Sequence, residues 1–119
     1  MIDCPVCKHD LILTRLKCDG CGVVLEGNFN LPRLARLNFQ HRNLAEQMIL
    51  AGGNLKDLAL QVGVSYPTLR KMVDELISAM HNLKNEDEKE IESILKAVES
   101  GMLSAGDGVR KIREIQGEI

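Results

Sequence analysis

Two Cys-x-x-Cys knuckles, Cys4-Pro5-Val6-Cys7 and Cys18-Asp19-Gly20-Cys21, stand ten residues apart, and the chain has no other cysteine. Four soft thiolates in two pairs are what a tetrahedral zinc ion requires. The two-residue spacer lets both sulfurs of a knuckle turn onto one ion. Pro5 and Gly20 tighten those turns, and Gly22 can take positive φ without a Cβ clash. The same thiolate cage accepts iron, and an even cysteine count is also compatible with two disulfides. Closed four-thiolate coordination leaves no open position, so such a metal builds structure and does not catalyse. The expected ligands are Cys4, Cys7, Cys18 and Cys21.

The residues before the first knuckle, Met1-Ile2-Asp3, contain no basic or apolar leader. No apolar stretch approaches the length of a membrane span. A reducing cytoplasm is therefore the expected compartment, and in it paired cysteines more often hold metal than each other. Only Phe29, Phe39 and Tyr66 are aromatic, so the core must be aliphatic and no stacking platform for single-stranded nucleic acid can be assembled. Net charge is −2 but unevenly spread. Residues 32–84 carry seven Lys/Arg (Arg33, Arg36, Arg42, Lys56, Arg70, Lys71, Lys84) against four Asp/Glu, while both flanks are acidic. Only the middle of the chain is a candidate partner for phosphate.

Between the knuckles, residues 10–17 are apolar and β-branched enough for a short strand, and Val23 to Phe29 reads as a second. Knuckle, strand, knuckle, strand resembles a zinc ribbon, with Lys8 standing where ribbons often place glycine. So small a unit needs its metal to fold. Past Pro32, a helical turn over residues 33–37 is expected, then a helix from the Asn38 cap to Ala51 with Leu44, Ala45, Met48 and Ile49 at helical spacing. Gly52-Gly53 ends it, and Asn54 caps a helix from Leu55 to Val62.

Leu58, Val62, Val64, Leu69 and Met72, with small Ala59 and Gly63 in the turn, form the pattern of a helix-turn-helix. Ser65 caps the following helix and Pro67 lies in its first turn, where a missing N–H costs nothing. An ordinary helical hairpin needs the same aliphatics, but not Ala and Gly four residues apart. Gly53-Asn54, Leu58-Ala59, Val62-Gly63-Val64-Ser65 and Thr68-Leu69-Arg70-Lys71 resemble the Fis-type helix-turn-helix of bacterial regulators. Taken with the ribbon, residues 2–82 resemble an uncharacterised prokaryotic family of ribbon-plus-helix-turn-helix proteins, which implies a role in transcription. If the second helix enters a major groove, Ser65, Tyr66, Pro67, Thr68, Arg70 and Lys71 are the residues that meet DNA. Arg70 suits bidentate contact with guanine and Lys71 suits phosphate.

Leu69, Val73, Leu76, Met80 and Leu83 then follow at alternating four- and three-residue steps. Leu76, Met80 and Leu83 lie past the helix-turn-helix core and are expected to pack on the C-terminal segment or a second copy. From Asn85 the chain turns acidic, and a separate amphipathic helix through Ile91, Ile94, Leu95 and Val98 should end at Gly101. Ser104 caps a last helix carrying Val109, Ile112 and Ile115. His9, His41 and His81 are scattered singly, and no nucleophile–base pair, phosphate-cradling loop or catalytic carboxylate pair is visible.

The expected fold is mostly α: a zinc ribbon (1–31), a helix-turn-helix domain (32–84) and a C-terminal helical hairpin (85–119). The expected function is a non-enzymatic, DNA-binding transcriptional regulator with duplex DNA as partner and a homodimer as assembly. An adaptor docking on RNA polymerase or another transcription protein is the alternative.

Overall fold

The computed structural model describes residues 3–117; the extreme ends of the first and last expected domains, residues 1–2 and 118–119, lie outside it. Strands β1 (Leu13–Lys17) and β2 (Val24–Phe29) pair antiparallel, and the second knuckle forms the turn between them. The register matches Leu16 with Leu25 and Arg15 with Glu26, and then slips, so that Leu13 meets Phe29. The slip leaves one extra residue on β2, a bulge of the kind that locally sharpens a strand's bend and twist. A 3₁₀ turn (Arg33–Arg36) follows, then α1 (Phe39–Leu50), α2 (Leu55–Val62), α3 (Tyr66–Glu99) and α4 (Ala105–Ile115).

Each helix starts at a side-chain cap visible in the sequence. Asn38 accepts from the His41 amide at 2.8 Å, and Asn54 from those of Lys56 and Asp57 at 3.1 and 3.2 Å. Ser65 accepts from the Thr68 amide at 3.3 Å and Ser104 from that of Asp107 at 3.2 Å. Leu37, Leu44, Leu58, Ala59, Leu69, Val73, Leu76 and Leu83 form one buried core where α1, α2 and the first half of α3 meet. Leu58 and Leu69 are wholly enclosed. Ile49, expected with the apolar positions of α1, instead projects outward at 71% exposure.

Two expectations are corrected. No break occurs at Asn85: α3 is one helix of 34 residues. At about 1.5 Å per residue it is about 50 Å long, and it accounts for the 54 Å long axis of the molecule. Neither Gly nor Pro occurs between Pro67 and Gly101, and Glu86, Glu88, Lys89 and Glu90 are good helix formers. The C-terminal hairpin does form, but its first arm is the continuation of the helix that begins after Ser65. Gly101 turns the chain at φ +77°, and α4 folds back with Gly108 under Val98 and Ile115 buried.

The second correction concerns Leu76, Met80 and Leu83. Leu76 and Leu83 are buried in the main core with Leu37, and Met80 packs against it. The 3₁₀ turn and α1 lie against α3 here, so this stripe is no docking face for the hairpin or a second copy.

Candidate metal centre and nucleic-acid interface

The two knuckles repeat one backbone design. In the first, the Cys4 amide donates to the His9 carbonyl at 2.8 Å and the Lys8 amide to the Cys4 carbonyl at 3.0 Å. In the second, Cys18 donates to Val23 at 2.7 Å and Gly22 to Cys18 at 2.9 Å. Lys8 (φ 64°) and Gly22 (φ 78°) hold the same place, and Lys8 is the one non-glycine with positive φ among the described residues. Lysine thus takes the left-handed conformation usually left to glycine, at a local cost of about 1–2 kcal/mol.

Backbone amides also reach the sulfurs. Val6 N–H donates to Cys4 Sγ at 3.4 Å and Cys21 N–H to Cys18 Sγ at 3.5 Å. The Cys7 amide, followed by the Val6 amide and the Cys7 side chain, holds the Cys4 thiol below its ordinary value. The Cys21 amide, followed by the Gly20 amide and the Cys21 side chain, does the same for Cys18. A depressed thiol is more readily deprotonated, and the thiolate is the metal-binding form. All four cysteines are free thiols.

Donor set and knuckle geometry therefore fit a soft cation. The sulfurs come as two pairs. Among the described residues, no group of three or more His, Cys, Asp or Glu side chains converges to hold an ion. Cys4, Cys7, Cys18 and Cys21 are the residues that would hold such an ion.

In the helix-turn-helix, Gly63 closes α2 at φ +80°, and the amides of Gly63 and Val64 both donate to the Ala59 carbonyl, at 2.9 and 3.1 Å. A Cβ at Gly63 would meet nothing within 4 Å, so the glycine serves backbone conformation alone. Buried Leu58 and Ala59 meet α3 at Leu69. Ser65, Tyr66, Pro67, Thr68, Arg70 and Lys71 all lie exposed on the first turns of α3, with Ser65 Oγ donating to Thr68 Oγ1 at 2.8 Å. The structure thus brings the six candidate residues onto one exposed end.

Charge is distributed less favourably for phosphate than the sequence count suggests. Arg70 Nη2 pairs with Asp74 at 3.4 Å, four residues along the helix. Arg42 Nη1 donates to the Leu37 carbonyl at 2.8 Å and the Ala35 carbonyl at 3.4 Å. Arg33 Nε lies 3.1 Å from Asp87 Oδ2, and Arg36 Nη2 bonds the same oxygen. Asp87 is 2% exposed, the one buried charged residue among those described. Its neighbours Glu86, Glu88 and Glu90 are exposed, so the acidic run after Asn85 hides one buried carboxylate among solvated ones. A signal was present, because the four–three alternation of α3 continues from Leu83 to Asp87, a polar residue in an apolar seam. Extending the central module to residue 87 lowers its formal charge to +1.

Two models of known families match the chain. Residues 4–35 match the DUF2089 zinc ribbon, and residues 37–82 match the helix-turn-helix of the same domain of unknown function. Between them the two matches span residues 4–82. The match supports a helix-turn-helix without singling out the Fis type. No curated protein and no solved structure matches the chain. Among the described residues, no helix is long and apolar enough to cross a membrane.

Proposed function

We propose that this chain is a non-enzymatic, cytoplasmic transcriptional regulator that binds duplex DNA through the start of α3 and carries one structural zinc in its ribbon. The observation that supports this most is the exposed set Tyr66, Pro67, Thr68, Arg70 and Lys71, on a helix whose opposite side is anchored by Leu69 and Val73. Helix-turn-helix modules read base edges with the first turns of their second helix. Asp74 and Glu75 follow at once on the exposed surface and limit the contact to those turns. The Arg70–Asp74 pair is exposed at both ends, so it contributes at most about 1 kcal/mol and a guanine can displace it. Zinc is preferred to iron because closed tetrahedral thiolate sites are its usual structural use.

A gel shift with genomic fragments across a salt series tests the reading. Arg70→Ala should cost about 1–3 kcal/mol of sequence discrimination if its contact is bidentate. Lys71→Ala should weaken all sequences alike and flatten the salt dependence. The adaptor reading gains from one observation, the engagement of Arg33, Arg36 and Arg42 within the protein. No retardation at low salt would favour docking on RNA polymerase or another transcription protein instead.

A further inference from the structure

The outer face of α1 leaves a group of apolar side chains uncovered. Leu34 (53% exposed), Phe39 (71%), Ile49 (71%) and Leu50 (80%) wall an open groove of about 580 Å³. Phe39, Asn43, Glu46 and Leu50 follow one another at four-, three- and four-residue steps, the spacing of a helix–helix seam. The opposite face of α1 already meets the core through buried Leu44 and partly buried Met48, so this seam plays no part in the chain's own core.

We infer that this groove is the interface of a two-fold homodimer in which α1 packs antiparallel on α1 of a second copy. Self-complementarity selects that occupant. Pairing about the middle of α1 sets Phe39 of one copy against Leu50 of the other, and each contact occurs twice. The same pairing sets Arg42 and Asn43 against Glu46 of the second copy, again twice. A parallel pairing would instead oppose Glu46 to Glu46. The carbonyl contacts of Arg42 use only Nη1, which leaves Nη2 for a carboxylate. The start of α3 lies outside this groove, so the dimer offers two candidate reading helices.

Sedimentation equilibrium of the full-length, zinc-loaded chain tests the inference, with helical circular dichroism confirming that each variant is folded. The wild-type chain should dimerise. Leu50→Glu should weaken association on the order of a hundredfold, since two copies of the change fall in one interface. Glu46→Arg, which touches no core residue, should also dissociate it by setting Arg against Arg. Leu60→Glu, on α2 and 83% exposed but outside the groove, should leave the dimer intact. A chain monomeric at all concentrations, a dimer indifferent to Leu50→Glu and Glu46→Arg, or one equally sensitive to Leu60→Glu would overturn the inference. A monomer that still retards DNA would remove the dimer and leave the proposed function standing.

Discussion

Residues 3–36 contain no fully buried side chain, whereas residues 37–115 hold every buried residue described. The ribbon is held by local backbone bonds, a short hairpin and sulfurs suited to one ion. The helical body is held by Leu58, Leu69 and their neighbours, contacts between residues far apart in sequence. The difference teaches that the two modules draw on separate sources of stability. A unit of some thirty residues cannot build a sufficient apolar core, and metal coordination stands in its place. The Arg33–Asp87–Arg36 cluster joins the two modules, and Asn30, Leu31 and Pro32 also lie beside α3 and the end of α4.

The largest effect should come from removing a ligand. Cys18→Ser is expected to abolish stoichiometric zinc and unfold the ribbon, a loss on the order of 10 kcal/mol of apparent metal-binding energy. Helical circular dichroism should persist, with the melting of the helical body almost unchanged. Metal analysis beside a thermal melt makes the check. If the helices unfold with the ribbon, the two-source picture is wrong.

The converse substitution is Leu58→Ala. Its side chain is wholly enclosed, so a cavity remains and the helical body should lose about 2–5 kcal/mol. Zinc content should stay at one per chain. Chemical denaturation followed at the helical band, with metal retention measured in the same samples, separates the outcomes.

These contrasts also explain what could be read from the chain in advance. The knuckles and the four helix caps were legible because each involves residues within a few positions of one another. Asn38, Asn54, Ser65 and Ser104 all cap as their identity suggests. The candidate reading residues were legible for the same reason, since a cap, a turn glycine and a first-turn proline fix which side chains face out. Asp87 was not, because its partners lie 51 and 54 residues away. The acidic run around it also imitates a solvated linker. The same long-range contact hid the unbroken course of α3 and the true cover of Leu76 and Leu83. Ile49 was misread because α1 carries apolar residues on two faces, and periodicity alone does not say which face meets the core.

Asp87→Asn sharpens the comparison at the join. It leaves two guanidinium groups beside a neutral amide, and Arg36 Nε is already buried without a partner. Breaking a buried ion cluster from one side costs more than the cluster gains over an apolar replacement. Partial exposure of both arginines moderates this, so a loss of about 2–3 kcal/mol is expected in the helical body. Exchange of the backbone amides of residues 33–37 should quicken more than that of α2. Equal quickening in both would mean that Asp87 supports the helical body as a whole and does not act as a local clasp.

The smallest expected effect lies within α4, where two glycines two residues apart should respond with opposite sign. Alanine ordinarily stabilises an exposed helical position by about 0.5–1 kcal/mol relative to glycine. At Gly106 a Cβ would meet nothing within 4 Å, so Gly106→Ala should gain that amount. At Gly108 the Cβ would stand 2.7 Å from Val98 Cγ2 and 3.7 Å from Ile94 Cγ2. Valine is stiff about χ1 in a helix and cannot swing its methyl aside, so α4 must lift from α3. Gly108→Ala should therefore lose about 1–2 kcal/mol despite its better helix propensity. Denaturant midpoints of the two variants beside wild type decide the matter. A gain at both positions would mean that α4 rests loosely on α3, and that tight packing ends where the main core ends.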